Sequence, residues 1–314
     1  MLKRTYRSPD INSLVRLIIG FLWVALILPG AIIIQLAPAL AFDGSDTSTG
    51  KSSPLTSFTS GEEALRLAEE DLRAGNMEAS VAALTYAAES GQVIARWKLG
   101  QMYANGDGVP RDDSKAYYYF NKLVEDYDED QHEQLDVRAI SDAFVAVGVY
   151  CLNGIPNSGV RPDPRRAHEL FQYGATAFAN PNAQYNLAHM YMIGAGGLAK
   201  DNIAAIRWLA LAAKEGHPPS QALLGHMLFV GNGMLDHRAR GLMWLEVAKD
   251  SAVDPKGQWI RDLYQRDFRD ASDSERLAAA SMKDARTEGT SLPLSTRSSV
   301  TSFLQPFGVV PADR

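Results

Sequence analysis

The 314-residue sequence contains a single cysteine, Cys151, and more acidic than basic side chains. One cysteine cannot form a disulfide within the chain, which excludes a disulfide-rich scaffold. The formal net charge of −6 argues against nucleic acid as a partner, because phosphate binding depends on clustered lysine and arginine. With 46% hydrophobic and 22% charged residues, the composition is typical of a globular protein rather than a disordered or fibrous one.

The sequence also lacks the common catalytic and metal-binding motifs. It has no Walker loop and no nucleophile elbow, and His168-Glu169 is not followed by the second histidine of a zinc protease motif. A polysaccharide-cleaving enzyme would need a pair of carboxylates in one cleft, whereas the acids here are dispersed along the chain. We therefore predict a protein without enzymatic activity, with no catalytic residues, no cofactor site and no metal site.

Residues 1–41 have the pattern of an export signal. Four basic residues precede an uncharged run from Leu17 to Phe42, which ends in the small-residue cleavage pattern Ala39-Leu40-Ala41. An uncleaved membrane anchor is the alternative, because about 20 apolar residues can span a bilayer. Pro29-Gly30 interrupts the run and favours cleavage. Both interpretations place the rest of the chain outside the cytoplasm, and the single cysteine favours the periplasm. Residues 42–60, rich in Ser and Thr, are predicted to be a flexible linker.

From residue 61 the sequence becomes a helical repeat. A first predicted hairpin, 62–74 and 77–90, is followed by four units of two helices that together cover about residues 92–250. The glycine that ends the first helix of each unit recurs at spacings of 48, 40 and 37 residues, as Gly106, Gly154, Gly194 and Gly231. Two further helices, 255–268 and 274–286, are predicted to close the array, so that the repeat domain covers 61–286. Residues 287–314 are predicted to be a flexible tail, although Phe303, Leu304 and Phe307 could dock back on the repeats.

Each recurring residue has a mechanical explanation. In the first helix of a unit, a large apolar residue is followed by a small one, which allows the second helix to approach closely (Gly100, Gly148, Ala188 and Gly225). An aspartate stands where the second helix needs an N-cap (Asp112, Asp163, Asp201 and Asp236). Cys151 occupies the position held elsewhere by Tyr103 and Tyr191, which predicts a buried, inert thiol rather than a nucleophile. The first unit carries an acidic insert after its second helix, DYDEDQHEQLDVRAI (126–140), whose acidic residues lie between 125 and 136. It is interpreted as a solvated loop or helix extension. The alternative is a partner-specific surface or a cation site, but a calcium loop needs a turn glycine and the insert has none.

These residues resemble the Sel1-like repeat, a relative of the tetratricopeptide repeat. The third unit carries much of the family pattern in Ala183, Leu187, Tyr191, Gly194 and Gly196. The resemblance implies an all-α fold, a right-handed α-solenoid of helical hairpins. By analogy with the tetratricopeptide geometry, a concave groove would bind a peptide or protein partner through Trp97, Gln101, Asn105, Tyr185, His189, Met192, His226 and Phe229. The alternative is that several of these side chains only pack between units. His189 and His226 lack a third ligand and would make only a weak metal site. Protonation of these two histidines near pH 6 is expected to weaken partner binding.

The order of segments, together with stretches such as YNLAHMYMIGAGG, looks like the alpha-proteobacterial ExoR family of exopolysaccharide production negative regulators. That resemblance implies a periplasmic protein that binds the periplasmic domain of a membrane sensor histidine kinase and holds its two-component pathway inactive. Contact with the membrane would then occur only through the partner or through an uncleaved signal. The alternative function is an exported adaptor or structural protein in cell-envelope assembly.

Overall fold

The computed structural model describes residues 58–128, 137–231 and 237–287, and this part of the chain is built from α-helices. In chain order the helices are α1 Gly61–Ala74, α2 Met77–Glu89, α3 Val93–Asn105, α4 Asp113–Glu125, α5 Val137–Asn153, α6 Pro164–Thr176, α7 Pro181–Ile193, α8 Asn202–Lys214, α9 Pro218–Phe229, α10 Arg238–Ser251, α11 Gln258–Asp270 and α12 Asp273–Thr287. A short 3₁₀ turn, Pro255–Gly257, precedes α11. Within these ranges no helix is both long enough and apolar enough to cross a membrane. The predicted signal peptide, most of the linker, most of the acidic insert and nearly all of the predicted tail lie outside the described residues.

Consecutive helices pair into antiparallel hairpins that stack on one another. The hairpins are α1–α2, α3–α4, α5–α6, α7–α8 and α9–α10, and the second helix of each packs against the first helix of the next. The first helices also meet along the stack, α3 with α5 and α5 with α7. The predicted all-α solenoid of helical hairpins is therefore confirmed. Because one hairpin cannot bury both its faces, each core cluster draws side chains from neighbouring hairpins.

Small residues set the distance between the two helices of a hairpin. A Cβ atom added to Gly100 would lie 2.5 Å from the ring of Phe120, and one added to Gly148 would lie 2.5 Å from the ring of Phe171. In the last hairpin, a Cβ at Gly225 would lie 2.7 Å from the carbonyl oxygen of Gly241. The prediction that a small side chain admits the second helix is correct at all three glycines.

A repeated backbone hydrogen bond closes the loop within each unit. The N–H of the residue that precedes the second helix donates to the carbonyl of the residue at the tyrosine position: Asp112 to Tyr103 (2.9 Å), Asp163 to Cys151 (2.6 Å), Asp201 to Tyr191 (2.9 Å) and His237 to Leu228 (3.4 Å). The side chains of the three aspartates then accept N–H groups of the first helical turn, as predicted for N-caps. In the fourth unit the prediction was wrong. The residue before α10 is His237, whose side chain does not cap the helix, and Asp236 lies outside the described residues.

Another repeated contact ties three of the four units to the hairpin before them. Arg96 Nε donates to the carbonyl of Ala88 (3.0 Å), and Gln221 Nε2 donates to that of Ala213 (3.0 Å). Gln184 Nε2 makes the equivalent, longer contact with Ala175 (3.5 Å). These side chains satisfy carbonyls near the end of the preceding helix, where helical partners are missing. Register between neighbouring units is thereby fixed by hydrogen bonds as well as by apolar packing.

The last two helices depart from the hairpin pattern. Helix α11 packs against both α9 and α10, and α12 packs mainly on α10. Ion pairs hold α12 in place, because Lys283 Nζ lies 2.9 Å from Glu246 Oε1 and 2.6 Å from Asp250 Oδ2. Arg238 joins α10 to both helices, with Nε 2.7 Å from Glu275 Oε1 and Nη2 2.9 Å from the carbonyl of Asp270. The predicted closing helices therefore exist, and they cover the final hairpin.

Candidate partner-binding face

Equivalent positions on α3, α5 and α7 form one face of the stack. Counting from the buried residues Ala95, Ala143 and Ala183, the positions two, six and ten further along recur in the three helices. They hold Trp97, Gln101 and Asn105, then Val145, Val149 and Asn153, then Tyr185, His189 and Ile193. All nine are exposed or partly exposed, and we refer to them as the uncharged face.

The structure corrects two residues predicted for the groove. Met192 is 3% exposed, whereas the next residue, Ile193, is 38% exposed and holds the position equivalent to Asn105 and Asn153. In the fourth unit, Phe229 is 3% exposed, and the equivalent of Ile193 is Val230, which is 46% exposed. Both errors are one residue in register, which on a helix turns a side chain by about 100° and so from the surface to the core. Counting ten residues from the buried Ala183 and Ser220 would have identified Ile193 and Val230.

His226, predicted as a groove residue, is also buried. Its Nδ1 lies 2.6 Å from Oδ2 of Asp267 on α11, and Arg266 Nη2 lies 3.2 Å from the same nitrogen. The fourth unit thus uses His226 to hold the closing helix. The predicted pairing of His189 with His226 on an open surface is wrong for His226. Of the eight residues predicted for the groove, Trp97, Gln101, Asn105, Tyr185 and His189 remain accessible, and their role in partner binding stays a prediction.

None of the nine residues of the uncharged face is Asp, Glu, Lys or Arg, although 22% of the chain is charged. His189 is the one titratable imidazole among them, and burial lowers its pKa, so that the ring is neutral at pH 7. The corresponding positions of α1, counted from the buried Ala64, carry an exposed ion pair between Arg66 and Glu70 with 2.6 Å between Nη1 and Oε1. The face is therefore bounded by charge on the side of α1.

A contact from the neighbouring unit positions the side chain of Tyr185 on α7. The ring of Tyr185 meets the His217 ring edge to face, with centroids 5.5 Å apart, and burial raises the pKa of Tyr185 to about 12. His217 in turn has Nδ1 2.8 Å from Ser220 Oγ and Nε2 3.1 Å from Asn182 Oδ1. Because an amide oxygen only accepts, Nε2 donates to Asn182. Burial lowers the pKa of His217 to about 4, so that the ring is neutral at pH 7 and Nδ1 accepts from the serine. The orientation of the Tyr185 ring is therefore set within the free protein.

The other side chains that could act as a nucleophile or as metal ligands are not placed for either role within the described residues. Cys151 is buried in the central core cluster, and this burial raises the pKa of its thiol, which opposes the thiolate form that a nucleophile requires. Among the residues that the structure describes, no group of three or more His, Cys, Asp or Glu side chains is placed to hold a metal ion. Asp126, at the start of the acidic insert, pairs with Arg96 on α3 at 2.7 Å. Residues 129–136 of the insert lie outside the described part.

Comparison with known proteins identifies the class of this repeat. The Sel1 repeat family matches four segments, 93–126, 142–177, 181–217 and 218–251, which coincide with the four predicted units. A solved structure, a protective antigen of uropathogenic Escherichia coli with an SLR fold, superposes with a TM-score of 0.58 at 19% identity. The superposition covers 81% of this chain and 50% of that one, and it supports the fold alone. The chain is a Sel1-repeat protein.

Two curated relatives extend the match beyond the repeats. An exopolysaccharide production negative regulator of Rhizobium leguminosarum bv. viciae is 33% identical over 252 residues, which are 80% of this chain and 89% of the relative. A protein of the same description from Rhizobium meliloti (strain 1021) is 30% identical over 245 residues, 78% of this chain and 86% of the relative. The chain therefore belongs to the family of exopolysaccharide production negative regulators, as its sequence predicted.

Proposed function

We propose that this protein is a periplasmic, non-enzymatic regulator that binds a membrane sensor histidine kinase and represses it. Repression of the kinase would in turn restrain exopolysaccharide production and related envelope and motility programmes. The observation that carries this proposal is the match of most of the chain to two negative regulators of exopolysaccharide production. The export signal predicted for residues 1–41 supports the compartment.

The uncharged face supports the mode of action. The centre of a protein–protein interface contains few charged residues, because desolvating a charge that finds no partner costs free energy. The face offers two aromatic rings besides His189, three branched aliphatic side chains (Val145, Val149 and Ile193), and three side-chain amides. Such a surface suits an uncharged segment of a partner protein. Repression follows if the regulator binds the inactive state of the kinase more tightly than the active state, by the difference in the two binding free energies.

A charge placed at the centre of the face tests this function. In a strain that lacks the gene, Val149→Glu is expected to leave exopolysaccharide production as high as in the deletion strain, because the carboxylate would have to be desolvated on binding. Val149 is already 36% exposed, so the free protein accommodates a glutamate. The matched control is Tyr118→Glu on α4, a site 55% exposed and outside the face, which is expected to restore repression. The melting temperature of both purified variants shows whether they are folded.

Affinity purification of the tagged protein from its host, followed by mass spectrometry, identifies the partner. Recovery of a sensor histidine kinase with the unsubstituted chain and with Tyr118→Glu, but not with Val149→Glu, would support the proposal. Recovery of proteins of envelope assembly, with no kinase and with unchanged exopolysaccharide in the deletion strain, would contradict it. That outcome would favour the alternative function, an exported Sel1-repeat adaptor or structural protein of the cell envelope.

A further inference from the structure

We propose that the uncharged face is also the docking site of a segment of the same chain, residues 298–312. This inference rests on the face that the proposed function uses, but not on the identity of the protein that binds there. The segment would cover the face in the absence of a partner, and a partner would have to displace it.

The first argument is charge. Residues 298–312 read SSVTSFLQPFGVVPA and contain no Asp, Glu, Lys or Arg between Arg297 and Asp313. The uncharged face likewise contains none at its nine positions. Burying one against the other would therefore desolvate no full charge, whereas the same segment laid over α1 would cover the exposed pair of Arg66 and Glu70.

The second argument is apolar area. The segment contains two phenylalanines, Phe303 and Phe307, in addition to one leucine and three valines. The face exposes more than a third of Val149 and of Ile193, and the rings of Trp97 and Tyr185 belong to the same face. Apolar surface transferred from water contributes about 25 cal/mol per Å². Pro306 and Pro311 restrict the backbone before docking, which lowers the entropy cost of ordering the segment.

The third argument is reach. The described chain ends at Thr287 in α12, which packs on α10. Helix spacings of about 10 Å put the face on α7 roughly 30 Å from that helix. The residues from 288 to 302 span up to about 50 Å when extended, which is enough to carry Phe303 onto α7 or α5. The fourth hairpin cannot serve instead, because α11 already buries His226 there.

Site-specific photo-crosslinking tests the docking directly. The full chain is purified from its host without a partner, with Val149 replaced by p-benzoylphenylalanine, and irradiated at low micromolar concentration. We expect mass spectrometry to find position 149 joined to a peptide from residues 298–312 of the same molecule. The same replacement at Tyr118, which is exposed and outside the face, is expected to give at least fivefold less of this product.

Variants of the segment provide the second part of the test. Phe303→Ser with Phe307→Ser is expected to lower the crosslink from position 149 at least fivefold. The matched control, Leu292→Ser with Leu294→Ser, removes two apolar residues before the segment and is expected to leave it unchanged. A crosslink to residues 17–42, a crosslink between isotopically distinct copies, or no crosslink to 298–312 would each overturn the proposal. None of these results depends on repression, so the docking and the proposed function can fail separately.

Discussion

His226 and Asp267 form a buried hydrogen bond between two helices that are not neighbours in sequence. The Nδ1 to Oδ2 distance is 2.6 Å, and Asp267 accepts a second bond at Oδ1 from Arg266 Nε at 3.1 Å. Both the histidine and the aspartate are buried. Since α11 supplies the aspartate and α9 the histidine, this pair attaches the first closing helix to the last repeat.

Asp267→Ala is expected to lower the free energy of unfolding by about 2 to 4 kcal/mol, because a ring N–H and part of a guanidinium would be left without their acceptor. Chemical denaturation followed by circular dichroism measures the change. Asp262→Ala on the same helix is the control, since Asp262 is exposed and accepts a hydrogen bond from Gln258 one turn earlier in the same helix. The control is expected within about 0.5 kcal/mol of the unsubstituted protein. Equal losses for the two variants would show that the buried pair adds nothing.

Gly148→Ala is expected to destabilise the protein, although alanine is the better helix former by about 1 kcal/mol. The new methyl group would lie 2.5 Å from the ring of Phe171, which is fully buried, so the ring or the helix would have to shift within a packed core. Overpacking of this kind costs about 1 to 3 kcal/mol, so the steric cost is expected to exceed the gain in propensity. Gly159→Ala is the control, because nothing lies within 4 Å of its added Cβ. A thermal melt in which Gly148→Ala is as stable as Gly159→Ala would contradict this account.

Much of the fold could be predicted from the sequence because the repeat makes each local signal recur. Gly106 and Gly194 have positive φ at the ends of their helices, and Asp112 and Asp201 cap the helices that follow. Their predicted roles were therefore correct to the residue. The fourth unit departs from the pattern, and there the predicted cap at Asp236 failed.

The candidate face was harder to predict because exposure depends on contacts outside a single unit. The predictions of Met192 and Phe229 were one residue short of the positions equivalent to Asn105, which lie ten residues after the buried Ala183 and Ser220. The burial of His226 depends on Asp267, which is 41 residues away and outside the repeat. The repeat pattern of the sequence does not predict such a contact.

Asp201→Ala is expected to cost about 1 kcal/mol of stability by removing the N-cap of α8. The carboxylate accepts the N–H groups of Ile203 and Ala204, both at 2.9 Å, and in alanine these donors lose their acceptor. Asp201→Asn keeps an oxygen at the same place and is the matched control, expected to retain most of the stability. If both variants unfold at the same denaturant concentration, the loss cannot be assigned to the cap.

His217 is expected to make the protein less stable as the pH falls from 6.5 to 4. Burial lowers the pKa of His217 to about 4, below its ordinary value of 6.5. Between these two values the unfolded chain binds a proton that the folded one does not, so the free energy of unfolding rises with pH in this window and levels off above it. The contribution at pH 4 is at most about 3 kcal/mol, from 1.36 kcal/mol per pKa unit.

The variant His217→Asn removes the titrating ring from the start of α9 and puts a good N-cap residue in its place. Urea denaturation at pH 7, 5.5 and 4 is expected to show a smaller loss of stability with falling pH than in the unsubstituted protein. His189 shifts in the same direction, because burial lowers its pKa too. A face that releases its partner through His189 would therefore respond at a lower pH than an ordinary histidine would. Identical pH profiles for His217→Asn and the unsubstituted protein would contradict the role of His217.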